Sequence, residues 1–170
     1  CTGFAAPNFD VGLIRHLGLR RTVERTHVGF MGCHGALNGL RVANGIAAGN
    51  PDACILVCAV ELCSLHYQYG WNPDWLVANA IFADGAAAGI VVRAEDAHKY
   101  TDKPLYVKAL SFVAGPAAGP IDPSYDYTTF DEVVRSAEDA YHQAGITNPR
   151  AELAMAEVHD CFTTTELVLM

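Results

Sequence analysis

The sequence has few positively charged residues and no long apolar run. Its 170 residues contain 11 Lys and Arg against 19 Asp and Glu, a formal net charge of −8, without a dense run of positive charges. This balance argues against a nucleic-acid or anionic-membrane surface, because both need a positive patch. No stretch approaches the roughly 20 apolar residues that cross a bilayer, and no signal-peptide pattern is present. We therefore expect a cytoplasmic protein without a membrane span.

A disulfide framework is not indicated either. Such frameworks occur in small secreted chains that lack a core, whereas this chain is 51% hydrophobic and long enough to bury one. A zinc site remains an alternative, although the spacing of its candidate ligands matches neither a knuckle nor paired Cys-x-x-Cys motifs. Those candidates are Cys54, Cys58, Cys63 and His66. The simpler interpretation places Cys54 and Cys58 on one face of a buried strand.

The ends of the sequence predict a fragment. The chain starts at Cys1 without an initiator Met, and it stops at Met170 inside an apolar, helix-like run. We therefore expect truncation at both termini.

Hydrophobic periodicity predicts alternating helices and strands. Helices are expected at Phe9–Leu17, from the turn after Cys33 to Gly49, and at Thr129–Ala144, the last opened by a capping box of Thr129 and Glu132. A second capping box, Thr163 with Glu166, is expected to open a final helix. Strands are expected at Thr22–Phe30, Cys54–Leu62, Gly85–Val92, Leu105–Phe112 and Leu153–Val158, the second and third of them fully buried. This order is typical of a layered α/β fold.

Two residues at strand-to-helix junctions are candidates for chemistry. Cys33 precedes a predicted helix, whose N-terminus carries partial positive charge and free N–H groups that stabilise a thiolate and hold an oxyanion. Gly32 and Gly35 are expected to let the chain turn sharply there. His159 follows the predicted strand Leu153–Val158, at the edge where α/β sheets place their sites. The pattern favours a Cys/His pair, with a packed Cys and a structural His as the alternative.

Several motifs of the first half agree in order and spacing with one family. They are Cys1–Gly3, Pro7 with Asp10, Leu17–Leu19, the turn Met31–Gly35, the strand Leu56–Glu61 and the run Phe82–Ala88. On these motifs, residues 1 to about 92 resemble type III polyketide synthases, the chalcone-synthase-like family. The resemblance implies that Cys33 carries the growing acyl chain and that Phe82 guards the acyl tunnel. It also implies a starter-pocket lining of Cys1, Thr2, Cys63 and His66.

The second half carries a different set of motifs. They are Ala94–Ala97, Tyr100–Pro104, Gly119 with Pro120, the Thr129 helix and Glu157–Thr163. On these motifs, residues from about 93 to 170 resemble sterol-carrier-protein-x-type thiolases and acetyl-CoA acetyltransferases. The resemblance implies that His159 helps to form an oxyanion hole. The run Asp84–Ala88 is similar in both families, so a splice there would preserve the fold, and we expect a hybrid of domains 1–92 and 93–170.

The two resemblances imply one fold and one chemistry. The fold is the thiolase-like layered α/β sandwich, βαβαβαββ repeated twice, and it is partial here. The chemistry is acyl transfer with Claisen condensation of an acyl-CoA with malonyl-CoA or acetyl-CoA, in a homodimer, with no cofactor, metal or nucleic acid.

Three alternatives remain: a thiolase, a fatty-acid-type β-ketoacyl synthase III, and a catalytically incomplete fragment or scaffold. The last follows because both families place a further catalytic Asn or His beyond the point where this chain ends.

Overall fold

A computed structural model describes residues 6–119, 121–159 and 164–169. The chain forms two compact units, Cys1–Pro104 and Leu105–Met170. This division lies 12 residues beyond residue 92, where the family resemblance is expected to change. The boundary at residue 92 describes sequence resemblance rather than compactness, and it stays a prediction.

The first unit is a helix layer against a two-stranded sheet. Its elements are α1 (Phe9–His16), a 3₁₀ turn (Gly32–His34), α2 (Gly35–Gly49), β1 (Ile55–Glu61), a second 3₁₀ turn (Cys63–His66), α3 (Pro73–Ile81), β2 (Gly85–Val91) and a third 3₁₀ turn (Ala94–Lys99). The two strands pair antiparallel, from Ile55 opposite Val91 to Glu61 opposite Gly85. The helix α2 packs on both strands.

Local capping explains where α1 and α3 begin and end. The side chain of Asn8 accepts a hydrogen bond from the Phe9 N–H at the start of α1. Gly18 ends that helix with a left-handed φ of 63°, a conformation that favours glycine. The side chain of Asn72 accepts from the N–H groups of the first turn of α3, where Pro73 occupies a position that needs no N–H.

The helix α2 is fixed at its middle and at its C-terminal end. Ala43 and Ala47, two members of the predicted apolar stripe, are buried. A Cβ atom at Gly39 would lie 3.4 Å from Val57 Cγ1 of β1, so helix and strand approach closely there. At the end of the helix, Arg93 Nε donates to the carbonyl oxygen of Ala47 at 3.1 Å. The start of α2, next to Cys33, is thereby held at one end of β1.

The second unit is mainly helical. It contains α4 (Asp131–Ala144), α5 (Pro149–Glu152) and α6 (Thr165–Leu169). Gly145, with φ of 71°, ends α4 as the sequence predicts. The predicted capping box is wrong, because α4 starts after Phe130 and that residue makes no side-chain capping bond. The predicted cap Thr163 lies outside the described residues.

Three predicted strands are absent from the described residues: Thr22–Phe30, Leu105–Phe112 and Leu153–Val158 are irregular. A β-rich segment becomes a strand only where another strand completes its ladder. The first of these segments is instead tied to α1 by side chains. Arg25 Nε donates to Asp10 Oδ2 at 2.6 Å, and the Asn8 amide nitrogen lies 2.6 Å from His27 Nδ1.

The prediction of two fully buried strands is also wrong for the described chain. Residues of β1 are mostly half-buried, and those of β2 are exposed except Val91. Among the described residues, the buried ones are Ala43, Ala47 and Ala97. Ile90 on β2 is 61% exposed, so the sheet presents an apolar surface.

Substitution of two glycines on α2 tests the helix–strand contact. We expect Gly39→Leu to lower the free energy of unfolding by about 1–3 kcal/mol, because the added side chain overfills the space before Val57. Apart from the backbone of its own helix and its two chain neighbours, Gly45 has no atom within 4 Å of the position that a Cβ would take. Gly45→Leu is therefore the matched control and should raise stability by about 0.5–1 kcal/mol. Thermal unfolding followed by circular dichroism measures both, and equal effects would contradict the contact.

Candidate active site

The backbone before Cys33 makes a tight left-handed turn. Phe30 has φ of 57° and Gly32 has φ of 64°, with Met31 between them at φ −102°. A left-handed phenylalanine costs about 1 kcal/mol or more, and such strain persists only where the surrounding structure imposes it. Gly32 fulfils its predicted role, because its conformation favours glycine. Gly35 does not, since its φ of −55° is ordinary helix.

This turn presents the Cys33 thiol to solvent at the start of α2. Cys33 is exposed and lies in the 3₁₀ turn that leads directly into the helix. The N-cap residue His34 makes no side-chain capping bond, so the first-turn N–H groups of α2 are not capped by it. An exposed thiol at the start of a helix lies where backbone N–H groups can hold an oxyanion.

A second thiol lies near Cys33 in a different electrostatic environment. Cys63 is half-buried in the 3₁₀ turn after β1. Desolvation raises the pKa of Cys63, and the negative charges of Glu61 and Asp84 and the thiol of Cys33 raise it further. Cys63 is therefore held in its neutral form, and it suits a pocket wall better than a nucleophile.

The other predicted pocket residues flank the same connection between β1 and β2. His66 closes the 3₁₀ turn and is exposed. Phe82 follows α3 with an extended backbone and is 53% exposed. Cys33, Cys63, His66 and Phe82 thus all belong to the first unit, whereas Cys1 and Thr2 lie outside the described residues.

His159 lies in the second unit and is exposed. The segment before it is irregular, so the strand that was expected to position it is not formed. Its pairing with Cys33 stays a prediction.

The remaining described cysteines have less reactive surroundings. Cys54 is exposed but lies outside any helix N-terminus, and a hydrogen bond joins it to Tyr100, whose pKa it raises, chiefly by charge repulsion. Cys58 is half-buried on β1. Within the described ranges, no three His, Cys, Asp or Glu side chains gather as a metal site. In the same ranges no helix is long and apolar enough to cross a membrane.

One pair of residues near the site is not indicated by the sequence. Asp84 Oδ1 accepts from the Ser64 backbone N–H at 2.7 Å, and Oδ2 accepts from the Ser64 hydroxyl at 2.6 Å. These bonds lower the pKa of Asp84 below its ordinary value of 3.8, the hydroxyl contributing most. The partners are 20 residues apart, so no local spacing rule predicts the pair.

Comparison with known proteins identifies relatives of the first half. Residues 1–95 match the family model of the N-terminal domain of chalcone and stilbene synthases. The chain is 37% identical over 90 residues to alpha-pyrone synthesis polyketide synthase-like Pks18 of Mycobacterium tuberculosis, covering 53% of this chain and 23% of that protein. It is 43% identical over 96 residues to 1,3,6,8-tetrahydroxynaphthalene synthase of Streptomyces peucetius, covering 56% and 25%.

A larger relative and a solved structure also match the first half of the chain. The chain is 43% identical over 90 residues to probable polyketide synthase 1 of Dictyostelium discoideum, 53% of this chain and 3% of that protein. The crystal structure of PKS-I from the brown alga Ectocarpus siliculosus matches at 47% identity and a TM-score of 0.50, covering 52% of this chain and 24% of that one. The chain thus spans about a quarter or less of these relatives.

These matches bear on both predicted resemblances. The predicted thiolase-like α/β fold and the polyketide-synthase resemblance of the first half are confirmed. The family match ends at residue 95, and the thiolase resemblance of residues 93–170 stays a prediction.

Brief alkylation with iodoacetamide tests the assignment of the reactive thiol. We expect Cys33 to react about two- to fivefold faster than Cys54, which is also exposed but lacks the helix N-terminus. Cys63 should react more slowly than either, because its pKa is raised. Peptide mass mapping measures the three rates, and first labelling at Cys54 or Cys161 would remove Cys33 from its role.

Proposed function

The chain belongs to the chalcone and stilbene synthase family, and we propose that it takes part in polyketide-synthase-like condensation of acyl-CoA thioesters through an acyl group on Cys33. The observation that carries the proposal is the exposed Cys33 thiol in a strained turn at the start of α2. The named relatives support the reaction class, since they are polyketide synthases and 1,3,6,8-tetrahydroxynaphthalene synthase.

The first step loads the acyl group. The Cys33 thiolate attacks the carbonyl carbon of an acyl-CoA, and the developing oxyanion is stabilised by N–H groups at the start of α2. The carbon–sulfur bond to coenzyme A breaks, and coenzyme A leaves as its thiol after taking a proton. Cys33 then holds the acyl group as a thioester.

The second step forms the carbon–carbon bond. Malonyl-CoA loses carbon dioxide, and the electron pair of the broken bond forms an enolate at the α-carbon. That carbon attacks the Cys33 thioester, the carbon–sulfur bond to Cys33 breaks, and the product is a β-ketoacyl-CoA with the Cys33 thiolate restored. In this proposal His159 donates a hydrogen bond to the thioester oxygen of malonyl-CoA, the role implied by its motif.

The remaining residues are proposed to hold the acyl group. Cys63, His66 and Phe82 lie in the connection between β1 and β2 and supply a neutral thiol, an imidazole and an aromatic ring. Cys1 and Thr2 are assigned to the same pocket from the resemblance alone.

The assembly and location are proposed from the resemblance as well. A homodimer through β1 is consistent with a two-stranded sheet in which β1 keeps one edge without a partner strand in the described part of the chain. Light scattering over a wide concentration range checks it, and a monomer throughout would contradict it. A cytoplasmic location stays a prediction that fractionation of the source cells checks.

Steady-state assays of two variants and their controls test the proposed chemistry. With acyl-CoA and malonyl-CoA as substrates, Cys33→Ala should abolish β-ketoacyl product, because no acyl thioester forms. His159→Ala should lower the rate by about 10²–10³-fold, the usual cost of losing an oxyanion donor.

Matched controls make these losses specific. Cys54→Ala removes another exposed thiol of the first unit, and His142→Ala removes an exposed histidine of α4. Both should keep the native rate. Product formation by Cys33→Ala would overturn the proposal. Formation of acetoacetyl-CoA from acetyl-CoA alone would indicate thiolase chemistry in place of the proposed malonyl-CoA step.

A further inference from the structure

The connection between β1 and β2 leaves and returns to the sheet at one end. Glu61 and Gly85 are the last paired residues of the ladder, so residues 62–84 form a loop that opens and closes between them. This loop carries the second 3₁₀ turn and α3, and with them Cys63, His66 and Phe82. We call the two ends of this loop, next to Glu61 and Gly85, its neck. Contacts across the neck therefore set the spacing of these side chains.

Two hydrogen bonds between Ser64 and Asp84 close this neck. The carboxylate of Asp84 takes both donors of Ser64, the backbone N–H at 2.7 Å and the hydroxyl at 2.6 Å. A carboxylate that receives two donors forms stronger bonds than a neutral acceptor does. The ladder alone fixes Glu61 against Gly85, and Asp84 extends that attachment three residues further, to Ser64.

Both sides of the predicted pocket are attached to this pair. Cys63 is the neighbour of Ser64, so its Cα lies about 3.8 Å away along the chain. Phe82 is two residues before Asp84, at most about 7 Å away. The same pair also adds negative charge beside Cys63, because Asp84 is one of the groups that raise the pKa of that thiol.

The distal part of the loop has its own anchor. Asn79 Nδ2 of α3 donates to the Gln68 carbonyl oxygen at 2.7 Å, and the Gln68 N–H donates to Asn79 Oδ1 at 3.3 Å. Removing the Ser64 hydroxyl therefore loosens the neck without releasing residues 68–79. That separation makes a selective effect measurable.

From this geometry we propose that Ser64 and Asp84 are positioning residues that set which acyl chains reach Cys33, by fixing Cys63 relative to Phe82. This inference rests on the proposed function, since it assumes acyl transfer to Cys33. Neither residue touches the reacting atoms in the proposed chemistry, and both act through the turn that they hold.

The test compares Ser64→Ala with a matched control. In an exposed turn of the second unit, Ser124 likewise donates both its N–H, at 2.9 Å, and its hydroxyl, at 2.7 Å, to the carboxylate of Asp122, there to Oδ1 alone. Ser124→Ala thus removes the same hydroxyl bond far from the pocket in sequence. Ser64→Thr keeps the hydroxyl and should retain native behaviour.

Two readouts are measured on each variant. The first is the rate at which iodoacetamide labels Cys63, which requires no catalytic activity. The second is the ratio in which Cys33 is acylated from an equimolar mixture of acetyl-CoA and decanoyl-CoA. We expect Ser64→Ala to raise the labelling rate about fivefold, the change that the loss of one hydrogen bond produces, and to shift the ratio at least about threefold toward decanoyl-CoA.

The outcomes separate the inference from the proposed function. If Ser64→Ala leaves the ratio unchanged, or if Ser124→Ala changes it equally, the positioning role is wrong. If Ser64→Thr fails to restore the native ratio, the hydroxyl bond is not the cause and the inference also fails. If Cys33 of the native protein takes up neither acyl group, the proposed function is wrong. The labelling rate of Cys63 then still decides whether the Ser64–Asp84 pair holds the turn.

Discussion

The close approach of α2 to β1 is the constraint on which the rest of the site depends. Gly39 lets the helix lie against Val57, and Ala43 and Ala47 are buried further along the same helix, which packs on both strands. Arg93 then binds the carbonyl groups at the far end of α2. With its middle and its C-terminal end fixed, the N-terminus of α2 has one position relative to the sheet, and the Cys33 turn is attached to it.

The turn and the loop neck use two different means to place a side chain. At Cys33 the backbone itself is constrained, since Phe30 and Gly32 both adopt left-handed conformations within three residues. At Cys63 the backbone is held from a distance by the carboxylate of Asp84. The electrostatic environments of the two thiols differ accordingly. Cys33 is exposed beside helix N–H groups, whereas Cys63 is desolvated among negative charges. Two cysteines of the first unit are thereby suited to different roles.

The sequence patterns predicted most of what depends on local order, apart from the helix α3 (Pro73–Ile81) and the Thr129 capping box, and missed what depends on distant partners. The helices α1, α2 and α4 and the strands β1 and β2 were predicted to within about two residues, because helical periodicity, apolar runs and glycine stops are local signals. Thr22–Phe30 was wrong as a strand, since its side chains bind α1 and no ladder partner lies beside it in the described ranges. The Ser64–Asp84 pair was not predicted for the same reason, because its partners meet only after β1 and β2 have paired.

In the proposed reaction Cys33 carries the acyl group, and peptide mass mapping after incubation with an acyl-CoA tests this role. The protein is incubated briefly with decanoyl-CoA, quenched in acid to preserve thioesters, and digested. We expect one decanoyl group per chain, on the peptide that contains Cys33, with a stoichiometric release of coenzyme A. An acyl group on Cys54 or Cys63 in place of Cys33, or no covalent acyl group at all, would contradict it.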